Sequence, residues 1–158
     1  MTATITSART ANVERLPAPI LLIRISSVLF VGLMLGHLSA YPWTATRAAA
    51  ETTLVESMQS TPFVFLGARS TYWNLYFGWG LLVGALLLTF ATILWLLADV
   101  SRVAPRRVGA IIGVVSASSL VGAYLSLRFF YIPPAVFYSA ICAILATAAT
   151  RLLRQPSR

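Results

Sequence analysis

Four long apolar stretches constrain this sequence more than any other feature, because only short segments that carry arginines separate them. The hydrocarbon core of a bilayer is about 30 Å thick, and a helix needs roughly 20 mostly apolar residues to cross it. Each stretch is long enough to do so. The sequence therefore predicts four transmembrane helices, at about residues 18–40, 71–98, 108–127 and 134–153.

The composition supports a location in the membrane. Of the 158 residues, 58% are hydrophobic and 10% are charged, and the mean hydropathy is +0.82. Soluble globular proteins carry about 25% charged residues. We therefore predict an all-α fold, an integral membrane four-helix bundle formed by one domain over residues 18–153. Residues 1–17, rich in Thr, Ala and Ser, are predicted to be a mobile cytoplasmic tail.

The arginines predict the orientation of the helices. All twelve basic residues are arginines, and nine of them lie near the span ends on one side of the membrane. Arg47, Arg69 and Arg128 lie on the other side, together with Glu51 and Glu56. Because basic residues concentrate in cytoplasmic loops, we predict a multi-pass protein of a bacterial inner membrane, with both termini in the cytoplasm and a periplasmic outer loop at residues 41–70. The arginines form separate short clusters, so nucleic acid is not an expected partner.

A signal peptide is the alternative interpretation of the first stretch, since a basic segment precedes an apolar run that ends in Leu38, Ser39 and Ala40. Cleavage after Ala40 would place Leu38 where a small residue is required, and the run is longer than the usual core of a signal peptide. We therefore favour a retained helix.

The outer loop is predicted to contain an amphipathic helix that lies on the membrane surface or caps the bundle. Thr44 or Thr46 is suited to cap this helix, and Pro62 is expected to end it. Residues 63–66 are expected to lead the chain back towards the membrane. The apolar positions of the helix, which alternate with polar ones, are Ala48, Leu54, Val55 and Met58.

Small residues at helical spacing are expected to let the helices approach one another closely. The stripes are Gly32 with Gly36, Gly80 with Gly84, Gly109 with Gly113 and Ser116, Ser118 with Gly122 and Ser126, and Ser139 with Ala143, Ala146 and Thr150. The third span carries two stripes, so we expect it to be the most enclosed helix. A homodimer face is the alternative role of each stripe.

Five residues with reactive or charged side chains are interpreted as structural. Arg24 lies about 9 Å into the first helix, so its side chain is expected to reach lipid phosphates, and Asp99 is expected only to end the second span. Glu51 and Glu56 are five residues apart, which places them on different faces of a helix and argues against paired catalytic carboxylates. Cys142 lies mid-span, where a buried thiol is inert.

No catalytic residue, metal ligand or cofactor is predicted. One cysteine excludes an intrachain disulfide and a CxxC pair, and one histidine excludes a His-rich metal site. The sequence has no phosphate-binding glycine loop and no nucleophile elbow.

The densest group of polar and aromatic residues is the segment GARSTYWNLYFGWG at residues 67–80. An interfacial aromatic belt accounts for its tryptophans and tyrosines, but the amide of Asn74 needs hydrogen-bond partners near the membrane boundary. His37 is expected at the same level, where it either relays a proton or binds a ligand, or only donates a hydrogen bond to a neighbouring polar group. We predict an aromatic-walled pocket for an anionic or lipid-like amphiphile, formed by His37, Arg69, Trp73, Asn74, Tyr76, Arg128 and Tyr131. The aromatic belt with internal hydrogen bonds remains the alternative.

Two of these segments, RSTYWNLYFGWG at residues 69–80 and LSLRFFYIPP at residues 125–134, resemble a widespread group of uncharacterised four-helix bacterial inner-membrane proteins. The overall plan is also similar to that of DoxX-like small membrane proteins. The resemblance implies the fold and implies that both segments matter, but it implies no reaction.

These features favour a non-catalytic function, as a scaffold, an accessory subunit or a binding module for a lipophilic ligand. The alternative is a small membrane enzyme or transporter that uses His37 with Arg69, Asn74 and Arg128. The expected partners are membrane lipids, a lipophilic or anionic amphiphile, and a membrane protein or a second copy of the chain.

Overall fold

The computed structural model describes residues 18–40 and 48–155. Within them, the elements are α1 (Ala18–Ala40), α2 (Ala49–Ser60), β1 (Pro62–Phe65), β2 (Ala68–Thr71), α3 (Tyr72–Val100), α4 (Pro105–Phe129) and α5 (Ile132–Leu153). Four of the helices, α1, α3, α4 and α5, are long and apolar enough to cross a membrane. The predicted all-α membrane fold with an outer-loop helix is therefore confirmed. The predicted tail, residues 1–17, lies outside the described residues.

Prolines mark several helix ends. Pro62 follows α2, which ends as predicted, and Pro105 is the first residue of α4. Pro133 and Pro134 lie in the first turn of α5. Because the first backbone N–H groups of a helix have no partner within it, a proline there removes no helical hydrogen bond.

The two helices that flank the outer hairpin begin differently. At α3, the Oγ1 atom of Thr71 accepts a hydrogen bond from the backbone N–H of Asn74 at 3.2 Å. This is the usual stabilising contact of a helix N-cap. At α2 the N-cap is Ala48, whose side chain forms no cap, and the predicted caps Thr44 and Thr46 lie outside the described residues.

The four spanning helices do not contact one another equally. α1 packs against both α3 and α5, and α5 also packs against α4, whereas α3 and α4 make few contacts. The prediction that α4, with its two small-residue stripes, is the most enclosed helix is confirmed in part: no other spanning helix has more buried residues, but α4 packs extensively against α5 alone. The first stripe lies against α5 and the second follows the edge of that contact, with Ser126 buried and Ser118 exposed.

Glycines permit the closest contacts between helices. A Cβ atom at Gly84 would lie 2.9 Å from Cδ2 of Leu38, and one at Gly32 would lie 3.2 Å from the ring of Phe137. At Gly109 the Cβ would lie 3.3 Å from a backbone oxygen of α5, and at Gly122 it would meet the ring of Tyr138 at 3.0 Å. On each of α1, α3 and α4, at least one glycine therefore serves packing between helices of the same chain.

Two serine hydroxyls form hydrogen bonds between spanning helices. Ser27 on α1 donates to the carbonyl oxygen of Ala91 on α3 at 2.6 Å, and Ser116 on α4 donates to that of Cys142 on α5 at 2.9 Å. A hydrogen bond of this kind contributes about 0.6 kcal/mol in a membrane protein. Both bonds therefore help to hold the helix pairs in register without dominating their stability.

Arg24 and Asp99 form an ion pair that the sequence did not predict. The Nη2 atom of Arg24 lies 3.0 Å from Oδ1 of Asp99, and its guanidinium carbon lies 4.9 Å from the centre of the Trp95 ring. Because α1 and α3 run antiparallel, the second turn of one helix and the last turn of the other lie at the same level. The expectation that Asp99 only ends its helix is therefore wrong. Arg24 has a partner within the protein, and its reach to lipid phosphates stays a prediction.

Residues 62–71 form a β-hairpin rather than a simple return to the membrane. Its two-residue loop consists of Leu66 and Gly67, with φ angles of 49° and 82°. Positive φ at both loop residues is the geometry that matches the twist of the flanking strands, and glycine adopts it without steric cost. The side chain of Leu66 is 91% exposed at the tip.

Candidate functional site

A pocket of about 400 Å³ lies between the β-hairpin and the first half of α3. We call it the hairpin pocket. Its walls are mostly apolar and aromatic, and its lining residues are Phe63, Phe65, Ala68, Ser70, Asn74, Leu75, Gly78, Trp79 and Leu82.

The strand register explains which hairpin residues face the pocket. Phe63 pairs with Ser70, and Phe65 pairs with Ala68, so these four side chains lie on one face of the hairpin. Arg69, which pairs with Val64, lies on the opposite face. The guanidinium group of Arg69 is therefore directed away from the hairpin pocket.

On α3, the pocket residues recur at helical spacing. Leu75, Gly78 and Leu82 lie three or four residues apart and so share one face. The buried face of the same helix, which includes Gly80 and Gly84, points the other way, towards α1. The hairpin therefore covers a part of α3 that the other spanning helices leave open.

Asn74 supplies a polar group to the pocket. Its backbone N–H is engaged with Thr71, but its side-chain amide forms no hydrogen bond in the described part of the chain. An amide offers two N–H donors and a carbonyl acceptor. The hairpin pocket therefore combines an apolar, aromatic wall with an uncharged group that is able to donate and accept hydrogen bonds.

His37 lies on the other side of α3. Its Nε2 atom is 2.8 Å from the carbonyl oxygen of Gly80, and because a carbonyl only accepts, Nε2 must carry the proton. This hydrogen bond corresponds to the alternative in which His37 donates to a neighbouring polar group. Trp73, seven residues before Gly80, lies on the same face of α3, and its ring contacts those of Tyr76 and Phe77.

Arg128 and Tyr131 lie at the connection between α4 and α5. The guanidinium carbon of Arg128 is 5.3 Å from the centre of the Phe129 ring, and both Arg128 and Tyr131 are exposed. Among the described residues, no hydrogen bond or ion pair links Arg69, Asn74 and Arg128 to one another. The structure therefore places Asn74 alone of the seven candidates in the hairpin pocket, and the ligand-binding role of the set stays a prediction.

A second cavity, of about 220 Å³, follows the open seam between α3 and α4. Phe30 lies at its base, where its ring stacks on Phe90 at 5.7 Å and meets the edge of Tyr138 at 6.4 Å. Ser118 and Ser119 are on the α4 side. Its walls suit an acyl chain, and they carry none of the acid and base pairs that catalysis requires.

Sequence reasoning misses most of the hairpin pocket. It predicts Phe63 and Phe65 only as chain that returns to the membrane, and it gives Gly78 no role. The available signal is Gly67, because a glycine that follows the apolar run Phe63–Leu66 indicates a tight turn.

Within residues 18–40 and 48–155, no group of three or more His, Cys, Asp or Glu side chains is placed to hold a metal ion. No protein-family model matches the chain, and no curated protein or solved structure is significantly similar to it. The resemblance to four-helix inner-membrane proteins and to DoxX-like proteins therefore stays a prediction.

Proposed function

We propose that this multi-pass membrane protein is a non-catalytic binding module that holds a lipophilic ligand in the hairpin pocket. The observation that carries the proposal is the exposed amide of Asn74, which has no hydrogen-bond partner among the described residues and lines an open, partly aromatic pocket of about 400 Å³. Ligand sites in proteins combine mostly apolar walls with a few placed polar groups. The hairpin pocket has this combination.

The lining indicates the chemistry of the ligand. No charged side chain lines the pocket, and Arg69 lies on the far face of the hairpin. An uncharged amphiphile fits this surface better than the anionic one that the sequence suggested. Its carbonyl or hydroxyl group would bond to Asn74, and its apolar chain would lie along Gly78 and Leu82, as a diacylglycerol-like lipid would.

The alternative, a small membrane enzyme or transporter, would need His37 to act together with Arg69, Asn74 and Arg128. The hydrogen bond of His37 to Gly80 and the position of Asn74 on another face of α3 favour the binding module instead. A scaffold or accessory role remains compatible with ligand binding, because a bound lipid is able to stabilise a docking surface.

The pocket is tested by filling it. A Cβ atom at Gly78 would meet no atom within 4 Å, so Gly78→Leu is expected to occupy the pocket without disturbing the fold. Gly36→Leu is the matched control, because a Cβ there also meets nothing within 4 Å and Gly36 does not line the pocket. We expect mass spectrometry of the purified proteins to find a stoichiometric lipophile in the wild type and in Gly36→Leu, and little of it in Gly78→Leu.

The role of the amide is tested separately with Asn74→Leu, which replaces the amide by a branched apolar side chain and keeps the backbone contact to Thr71. The loss of one hydrogen bond is expected to lower ligand retention by about fivefold. Equal amounts of lipophile in the wild type and both pocket variants, or none in any protein, would contradict the proposed function.

We further propose that the chain lies in a bacterial inner membrane with the hairpin in the periplasm and the loop between α3 and α4 in the cytoplasm. The excess of arginines at the latter end supports this orientation. In a Cys142→Ser background, Glu56→Cys is expected to react with a membrane-impermeant maleimide in spheroplasts, and Arg102→Cys only after permeabilisation. The reverse labelling pattern would overturn the orientation.

A further inference from the structure

Five exposed arginines lie at the end of the spanning helices that is opposite to the hairpin. We call this group the arginine-rich end. It comprises Arg102, Arg106, Arg107, Arg151 and Arg154. From the sequence these residues serve only to predict orientation, but the structure shows that helix packing brings them together.

The contact at Gly109 joins the two main parts of the arginine-rich end. A Cβ atom on Gly109 would lie 3.1 Å from atoms of Leu152 and Leu153, so the start of α4 and the end of α5 are in direct contact there. Arg106 and Arg107 lie three and two residues before Gly109, and Arg151 directly precedes Leu152. Exposed arginines of two packed helices therefore lie close to this contact, at the same end of the helices.

No carboxylate of the described residues neutralises this surface. Asp99 is the one acidic residue near it, and Asp99 is paired with Arg24 at 3.0 Å. None of the five arginines has an ion pair within the described chain. The guanidinium groups of this surface are therefore available to an anion from outside the protein.

Val103 indicates that this anion is part of a lipid. Its side chain is 88% exposed and directly follows Arg102 in the loop between α3 and α4. Arginine binds phosphate oxygens through two parallel N–H groups. An apolar side chain beside guanidinium groups at a membrane surface contacts acyl chains while the arginines bind the phosphates.

We propose that the arginine-rich end binds the head group of an anionic phospholipid, with Arg106 and Arg151 on its phosphate and Val103 against its acyl chain. This site is independent of the hairpin pocket, because it lies at the other end of the helices and takes a charged ligand.

The test compares two double variants of the full-length protein in detergent by native mass spectrometry, with phosphatidylglycerol and phosphatidylcholine as the added lipids. Arg106→Gln/Arg151→Gln removes two charges from the arginine-rich end, and Arg69→Gln/Arg128→Gln removes two from the hairpin end. Each arginine near an anionic lipid contributes about fivefold to the affinity. Loss of two arginines is therefore expected to weaken the binding of phosphatidylglycerol by the first variant roughly 30-fold relative to the wild type. The second variant is expected to bind it as the wild type does.

Val103→Ser and inorganic phosphate distinguish a lipid from a free anion. We expect Val103→Ser to weaken binding of phosphatidylglycerol, and we expect millimolar phosphate not to displace the lipid. Equal losses in the two double variants would show a response to net charge alone and would overturn the site. Displacement by phosphate, equal binding of phosphatidylcholine, or unchanged binding by Arg106→Gln/Arg151→Gln would overturn it as well.

Discussion

Gly109→Leu is expected to destabilise the protein by about 3 kcal/mol, or roughly 5–10 °C in thermal midpoint, which is more than leucine should cost at Gly84. The Cβ atom alone would lie 3.1 Å from Cβ of Leu152 and 3.3 Å from the backbone oxygen of Ala149. A backbone oxygen within a helix has no rotamer by which to move aside. The larger side chain must therefore push α4 and α5 apart at this contact.

The thermal midpoint of the detergent-solubilised protein measures this effect, and Gly36→Leu is again the matched control. The control adds the same side chain to a spanning helix at a position where a Cβ atom meets nothing within 4 Å. It should change stability little, or raise it by up to about 0.8 kcal/mol, because leucine favours the helix more than glycine does. Equal midpoints for Gly109→Leu and Gly36→Leu would mean that α4 and α5 are not in contact at this point.

Gly84→Leu is expected to have the second largest effect, a loss of about 1–2 kcal/mol. A Cβ atom at Gly84 would lie 2.9 Å from Cδ2 of Leu38, which is the end of a flexible side chain. Leu38 is able to rotate away from a single methyl group, so Gly84→Ala should be nearly neutral. A leucine fills the space into which Leu38 would move, and it forces α1 away from α3.

A second measurement separates this local effect from general instability. His37 donates to Gly80, one turn from Gly84, so the separation of α1 and α3 should break that hydrogen bond. We expect the ¹⁵N chemical shift of His37 Nε2 to change in Gly84→Leu and to stay constant in Gly109→Leu. A constant shift in Gly84→Leu, together with an unchanged thermal midpoint, would place Gly84 against lipid.

The spanning helices are predictable because the cost of placing charge in a bilayer depends on the local sequence alone. Prolines such as Pro62 and Pro105 likewise act on the residues next to them. The ion pair of Arg24 with Asp99 is not predictable in this way, since 75 positions separate the two residues and the sequence does not state which helices are neighbours. The hairpin is not predictable in this way. Two-residue hairpin loops favour pairs such as Asn-Gly, and the loop of Leu66 and Gly67 has only the glycine.

The candidate site shows the same division between local and spatial information. Asn74 is identifiable from the sequence because an amide near lipid needs a partner, whatever surrounds it. Its separation from His37 depends on rotation about the helix axis. Consecutive residues of a helix are turned by about 100°, so Trp73 and Asn74 share a level in the membrane but not a face. The partner of His37 is a backbone carbonyl, which has no signature in the sequence.

The open seam between α3 and α4 also has a consequence for biogenesis. α5 is synthesised after α4, yet it lies between α1 and α4 in the order of packing. When α4 enters the membrane, the α1–α3 pair offers it few contacts. Its main packing partner, α5, has not yet left the ribosome. Insertion of α5 then joins two helices already present in the bilayer. The fourth spanning helix therefore completes the assembly of the three that precede it.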